Sequence, residues 1–184
     1  MHSGLMDHPH GYGLISRLFH WAMALLLLWQ LISAALHYID DEAAITEFFF
    51  GFHFANGFLL LCLTVLRALW GLINLSRRSA HQSGIDRAAA IGHVAMYVLL
   101  IVVPSIALIR AYGSDRPFEP LGIPLFSGST PEIEWMKEFG NAWHGFFGWI
   151  LFLLIGGHVV MALVHDYVWK EAMIARMTRG KGRA

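Results

Sequence analysis

The sequence predicts an all-α fold, an integral membrane four-helix bundle with both termini cytoplasmic. Three observations carry this. The chain of 184 residues is 57% apolar and only 14% charged, whereas soluble domains carry roughly 25% charged residues. Its mean hydropathy is +0.54. Its apolar residues gather into four long stretches, about 14–38, 48–72, 88–109 and 139–169. Each exceeds the ~20 helical residues that cross a hydrocarbon core of about 30 Å. Backbone polar groups find no water there, so each span is expected to be helical. No internal repeat is visible, and 1–184 reads as a single membrane domain.

The first stretch is too long for a signal-peptide core and lacks a small-x-small cleavage site, so it is expected to stay as a span. The tail before it carries His2, His8 and His10 and reads as a frayed terminus rather than a metal site. The 40–47 connection holds Asp40, Asp41, Glu42 and Glu47 and no base. A polar loop is expected over 74–86. In the third span Pro104 is expected to introduce a kink. The 110–138 connection contains Pro117, Pro120, Pro124 and Pro131 with Gly113, Gly122 and Gly128, which argues against a long helix. A short helix is expected within 131–139, feeding the fourth span. Trp21, Trp29, Trp70, Trp149 and Trp169 suit belt or packing positions.

Charge sets the orientation. The 110–138 connection has Arg110, Arg116 and Lys137, outnumbered by Asp115, Glu119, Glu132, Glu134 and Glu138. The opposite side holds nine bases: Arg17, Arg77, Arg78, Arg87, Lys170, Arg176, Arg179, Lys181 and Arg183. The positive-inside rule places both termini in the cytoplasm. The formal net charge of zero therefore conceals a basic inner and an acidic outer face. No basic face for nucleic acid emerges, and the composition excludes a disordered chain. Cys62 is the single cysteine, so no intrachain disulfide can form. No Cys-x-x-Cys-His motif offers covalent haem attachment.

Ionisable residues inside spans are costly and are functional candidates by default. Here they include His20, His37, His53, His93, His144, His158 and His165. His144 and His158 are fourteen residues apart, on one helix face and about 21 Å apart along it. That arrangement fits two cofactor sites stacked across the membrane. With alternating span direction, His53 matches His144 in depth on the outer side and His20 matches His158 on the inner side. Imidazole is a common axial ligand of haem iron, and facing helices of a bundle are a usual place for such a site. Gly57 and Gly148 lie one turn after His53 and His144, and Gly145, Gly156 and Gly157 border the fourth-span histidines. They provide either macrocycle clearance or close helix packing. Arg67 lies fourteen residues after His53, at the inner level. It suits either a haem propionate or the headgroup region. Arg17, one turn before His20, is a weaker candidate for the same pairing. His93 has the depth to replace His20, to line a quinone pocket, to hold a propionate, or to bond a neighbouring helix. His37 and His165 read as interfacial.

The chain resembles the bacterial di-haem membrane cytochromes of the cytochrome b561 type from about residue 13 to 179. The matching residues are Arg17-x-x-His20-Trp21, His53-x-x-x-Gly57 with Arg67, Gly92-His93-x-x-x-Tyr97 with Pro104, and Trp143-His144 followed by His158, His165 and Trp169-Lys170. The tail motif Ala175-Arg176-Met177 also fits. The resemblance implies four transmembrane helices and two non-covalent b haems (iron), with axial roles on His20, His53, His144 and His158. It also implies electron transfer between a periplasmic donor and the quinone pool, ubiquinone included. Superoxide is one candidate donor, although an acidic outer face does not steer an anion. A haem-bearing membrane anchor subunit of a larger dehydrogenase or hydrogenase is the alternative function. A zinc or copper transporter fits less well, since such sites gather ligands at one depth. A purely structural bundle leaves the histidines unexplained. The bilayer, a quinone, a periplasmic donor and a second copy in a homodimer are the partners considered. No catalytic acid, base or nucleophile is identified, so any oxidoreductase activity rests on redox turnover.

Overall fold

The computed structural model describes residues 4–9, 11–77, 84–128 and 131–180. The expectations placed on His2, His10, Arg78, Lys181 and Arg183 lie outside these residues. The first span is α1, Leu14–Ile39. The second is divided: α2 covers Ala44–Gly51 and α3 covers His53–Ile73, with Phe52 at the break. The third span is α4, Gly84–Tyr112, which continues through Pro104. The fourth is α5, Glu134–Leu163, extended by one π-helical turn, Val164–Val168. All four crossings are long and apolar enough for a membrane.

The expected second span, 48–72, lies within one crossing, Ala44–Ile73, which is interrupted at Phe52. The cause of the break lies in the neighbours. Asp40 turns the chain sharply, its carbonyl accepting from Thr46 Oγ1 at 2.6 Å and its carboxylate accepting from the Glu42 N–H at 3.1 Å. This starts a helix earlier than the apolar run does. Trp29 of α1 then packs among Phe48, Phe49 and Phe52 and donates Nε1–H to the Phe49 carbonyl at 3.2 Å. The short helix expected within 131–139 is instead the start of α5 at Glu134. The expected polar loop over 74–86 contains a 3-10 turn, Leu75–Arg77, and the first residues of α4.

The long connection before α5 folds as a small hairpin. Strand β1, Pro117–Phe118, pairs antiparallel with β2, Phe126–Ser127, around a 3-10 turn at Pro120–Gly122. Phe118 meets Phe58 of α3, with ring centroids 6.4 Å apart. At the other end of the bundle a short helix α6, Met173–Thr178, follows the π turn. Lys170 and Ala172, both at positive φ, reverse the chain between them. Arg17 Nη1 donates to the Thr178 carbonyl at 2.7 Å and Trp21 Nε1 donates to that of Met177 at 3.1 Å. The Asp7 N–H donates to Asn74 Oδ1 at 3.0 Å. Both terminal segments therefore dock at one end, the terminus end, opposite the hairpin, or loop end.

Helices in lipid gain little from apolar burial and associate through small side chains and polar contacts. The seam between α1 and α3 follows this rule, burying Ser16, Ser33, Asn56 and Thr64 beside Met23 and Leu60. Trp70 Nε1 donates to Ser16 Oγ at 2.9 Å. In the seam between α4 and α5, Gly140 lies against the Arg110 stem. α3 also packs on α4, whereas α5 makes at most isolated backbone approaches to α1 and α3. Side chains bridge α5 to the α1–α3 pair, among them His20 with His158, His53 with His144 and Tyr38 with Trp149.

Candidate functional site

His53, the first residue of α3, faces His144 of α5 at the loop end. Their ring centroids are 6.2 Å apart. His20 of α1 faces His158 of α5 at the terminus end, with centroids 6.3 Å apart. Two imidazoles that bind one metal from opposite sides, each at about 2 Å, place their centroids about 6 Å apart. Both pairs thus have the spacing for a shared axial metal. His93 of α4 is also at the terminus end, 5.2 Å from the His158 ring, closer than either facing pair. It is exposed, and its Nδ1 is 2.7 Å from the Ala89 carbonyl. Among the described residues no three His, Cys, Asp or Glu side chains gather as metal ligands.

The partners at Nδ1 decide what each ring can offer. A neutral imidazole has one N–H and one lone pair. His144 Nδ1 lies 3.0 Å from the Val103 carbonyl, which only accepts. The proton is therefore on Nδ1 and Nε2 presents its lone pair. His53 Nδ1 lies 2.7 Å from Ser33 Oγ, which itself donates to the Gln30 carbonyl at 2.8 Å. With its one proton committed, Ser33 accepts from His53 Nδ1–H, and Nε2 is again free of a proton. Such outer partners are the usual means of orienting an axial histidine.

Around His53 the polar contacts continue. Gln30 Nε2 donates to the His53 carbonyl at 3.1 Å, and Asn56 Nδ2 donates to Gln30 Oε1 and to the Leu26 carbonyl, each at 3.0 Å. Gly57 belongs to this arrangement, because a Cβ there meets Gln30 Nε2 at 3.3 Å. The room made by Gly57 is thus used by the Gln30 amide. Gly145, Gly148, Gly156 and Gly157 differ: a Cβ on each meets nothing within 4 Å. They border open space rather than a packed helix. Histidine spacing alone does not find Ser33, Gln30 or Asn56. Their signal is polarity inside a span, the same cost that singles out the histidines.

The arginines separate. Arg67 of α3 points into the bundle. Its Nη2 is 3.3 Å from His20 Nδ1, its Nη1 is 3.9 Å from Met23 Sδ, and its guanidinium carbon lies 5.8 Å from the centre of the Tyr97 ring. Arg17 holds the C-terminal segment through Thr178. His37 stacks on Phe50 at 4.1 Å, and His165 Nδ1 pairs with Glu171 at 2.6 Å.

A family model described as prokaryotic cytochrome b561 matches residues 11–180. Cytochrome b561 homolog 2 of Escherichia coli (strain K12) is 26% identical over 178 residues, covering 92% of this chain and 92% of that protein. These matches imply b-type haem and electron transfer, and with four membrane-length helices they mark a multi-pass protein of the bacterial inner membrane. The chain is a member of the prokaryotic cytochrome b561 family.

Proposed function

We propose that the chain holds two non-covalent b haems and carries electrons between a periplasmic donor and the quinone pool, with ubiquinone as the quinone. One observation carries the reading: facing histidine rings at 6.2 and 6.3 Å, at the two ends of one four-span bundle. His53 with His144 would hold one haem, and His20 with His158 the other. Haem iron bound there supplies a one-electron ferric–ferrous couple, and two axial histidines suit electron transfer over oxygen chemistry.

The protein's own groups do the rest. Ser33 and the Val103 carbonyl orient the loop-end rings. Arg67 Nη2 donates toward His20 Nδ1, which leaves the His20 proton on Nε2; for His20 to hold a haem through Nε2, Arg67 would turn from it to a propionate carboxylate. Arg17 is the less suited, since it already donates to Thr178. His93 lies beside the terminus-end pair. The positive-inside distribution puts the loop end in the periplasm. Its acids outnumber its bases, so a neutral or cationic donor fits better than superoxide.

The test is the reduced-minus-oxidised absorption spectrum of the purified chain with haem counted per polypeptide. Two b haems are expected. A chain that stays colourless after expression with ample haem overturns the reading.

A further inference from the structure

Ser33 is fully buried on α1, at 0% exposure, and enters the reading above only as a group that orients the His53 ring. Its geometry says more. A serine hydroxyl has one proton, and here that proton goes to the Gln30 carbonyl at 2.8 Å. The 2.7 Å contact with His53 Nδ1 is therefore one in which Ser33 accepts. On the facing side His144 Nδ1 also meets an acceptor, the Val103 carbonyl. At the terminus end the polarity is reversed. The group near His20 Nδ1 is the Arg67 guanidinium, which donates only and carries a fixed positive charge.

An acceptor on Nδ1–H makes the imidazole a more basic ligand and so favours ferric iron. A nearby cation disfavours the ferric form, which carries one more positive charge than the ferrous. The two ends are thus biased in opposite directions. We propose that Ser33 is a positioning residue that fixes the His53 tautomer and holds the loop-end centre at a lower reduction potential than the terminus-end centre. The proposal rests on the di-haem reading. Each centre gains one electron on reduction, supplied by the donor already named, and electron flow from the loop end to the terminus end is then downhill.

The experiment is a potentiometric titration of the full-length, haem-loaded protein, wild type against Ser33→Ala and Ser33→Thr. A His53→Ala variant identifies the loop-end step as the one it loses. In the wild type that step is expected at the lower potential. In Ser33→Ala it is expected to rise, as the ferric–ferrous balance changes by about threefold to tenfold, the worth of one hydrogen bond. Tenfold is about 59 mV for one electron. The terminus-end step is expected to stay in place, and Ser33→Thr, which keeps the hydroxyl, to restore the wild-type value. A fully loaded Ser33→Ala with both steps unmoved overturns the proposal, as does a wild-type loop-end step at the higher potential. If Ser33→Ala does not load, Ser33→Thr must load at the wild-type potential; loss in both overturns it. A wild-type chain with fewer than two haems instead overturns the di-haem reading.

Discussion

At the loop end, both facing histidines turn Nδ1 toward oxygen atoms that accept: Ser33 Oγ for His53 and the Val103 carbonyl for His144. At the terminus end, His20 turns Nδ1 toward the Arg67 guanidinium, and a third histidine, His93, lies against His158. The ring spacings are nearly equal, 6.2 and 6.3 Å, so the same ligand geometry is set in opposite electrostatic surroundings. One end has its tautomers assigned by neighbouring backbone and hydroxyl groups. The other has a cation where an acceptor would be, and that cation is placed to turn toward a carboxylate instead. Ring spacing can thus be held constant while the surroundings tune each centre separately.

The largest effect expected on this comparison comes from the rings themselves. His53→Ala or His144→Ala should halve the haem per chain and leave the terminus-end centre. His20→Ala or His158→Ala should do the reverse. His93→Ala should leave two haems. A haem lost in His93→Ala but retained in His20→Ala would instead reassign that pair, and haem counts decide between them.

Next come the arginines. Arg67→Gln removes the cation beside His20 and should lower the terminus-end potential in a redox titration, with the loop-end step unmoved. Arg17→Gln should leave both potentials and instead loosen the C-terminal segment that it holds at Thr178, seen as faster proteolysis there. If the two variants gave the same potential shift, the separate roles assigned to the two arginines would not hold.

Smaller effects belong to the polar contacts behind His53. Asn56→Leu leaves the half-buried Gln30 Oε1 without its donor and should cost about 1 kcal/mol of stability, measured as a lowered melting temperature of the holoprotein. Gly57→Ala brings a methyl to 3.3 Å from Gln30 Nε2. It should cost about 1 kcal/mol or less, since the amide is a movable side-chain end. The corresponding Gly148→Ala, facing open space, should be close to neutral in the protein without haem. A larger loss at Gly148 than at Gly57 there would contradict the packing described.

Much of the bundle is legible in the sequence for a simple reason. Span length and helical repeat are local properties, fixed by which residues are apolar and by 3.6 residues per turn. The fourteen-residue steps from His144 to His158 and from His53 to Arg67 therefore establish shared faces and a separation in depth of about 21 Å before any helix is packed on another. The break at Phe52 was not legible in this way. It depends on Asp40 turning the chain and on Trp29 of another helix meeting Phe49.

By itself, the sequence determined four membrane-length helices and which end of the bundle each histidine lies toward, because span length follows from local composition and depth from position along a span whose direction the charges set; it left His20 and His93 open as the partner of His158. Only the tertiary structure decided which atom of each ring is committed. The partners are distant in sequence: Ser33 is 20 residues from His53, Val103 is 41 from His144, and Arg67 is 47 from His20. A hydrogen bond is directional and acts over about 3 Å, so its donor and acceptor are settled only when the helices carrying them are packed together.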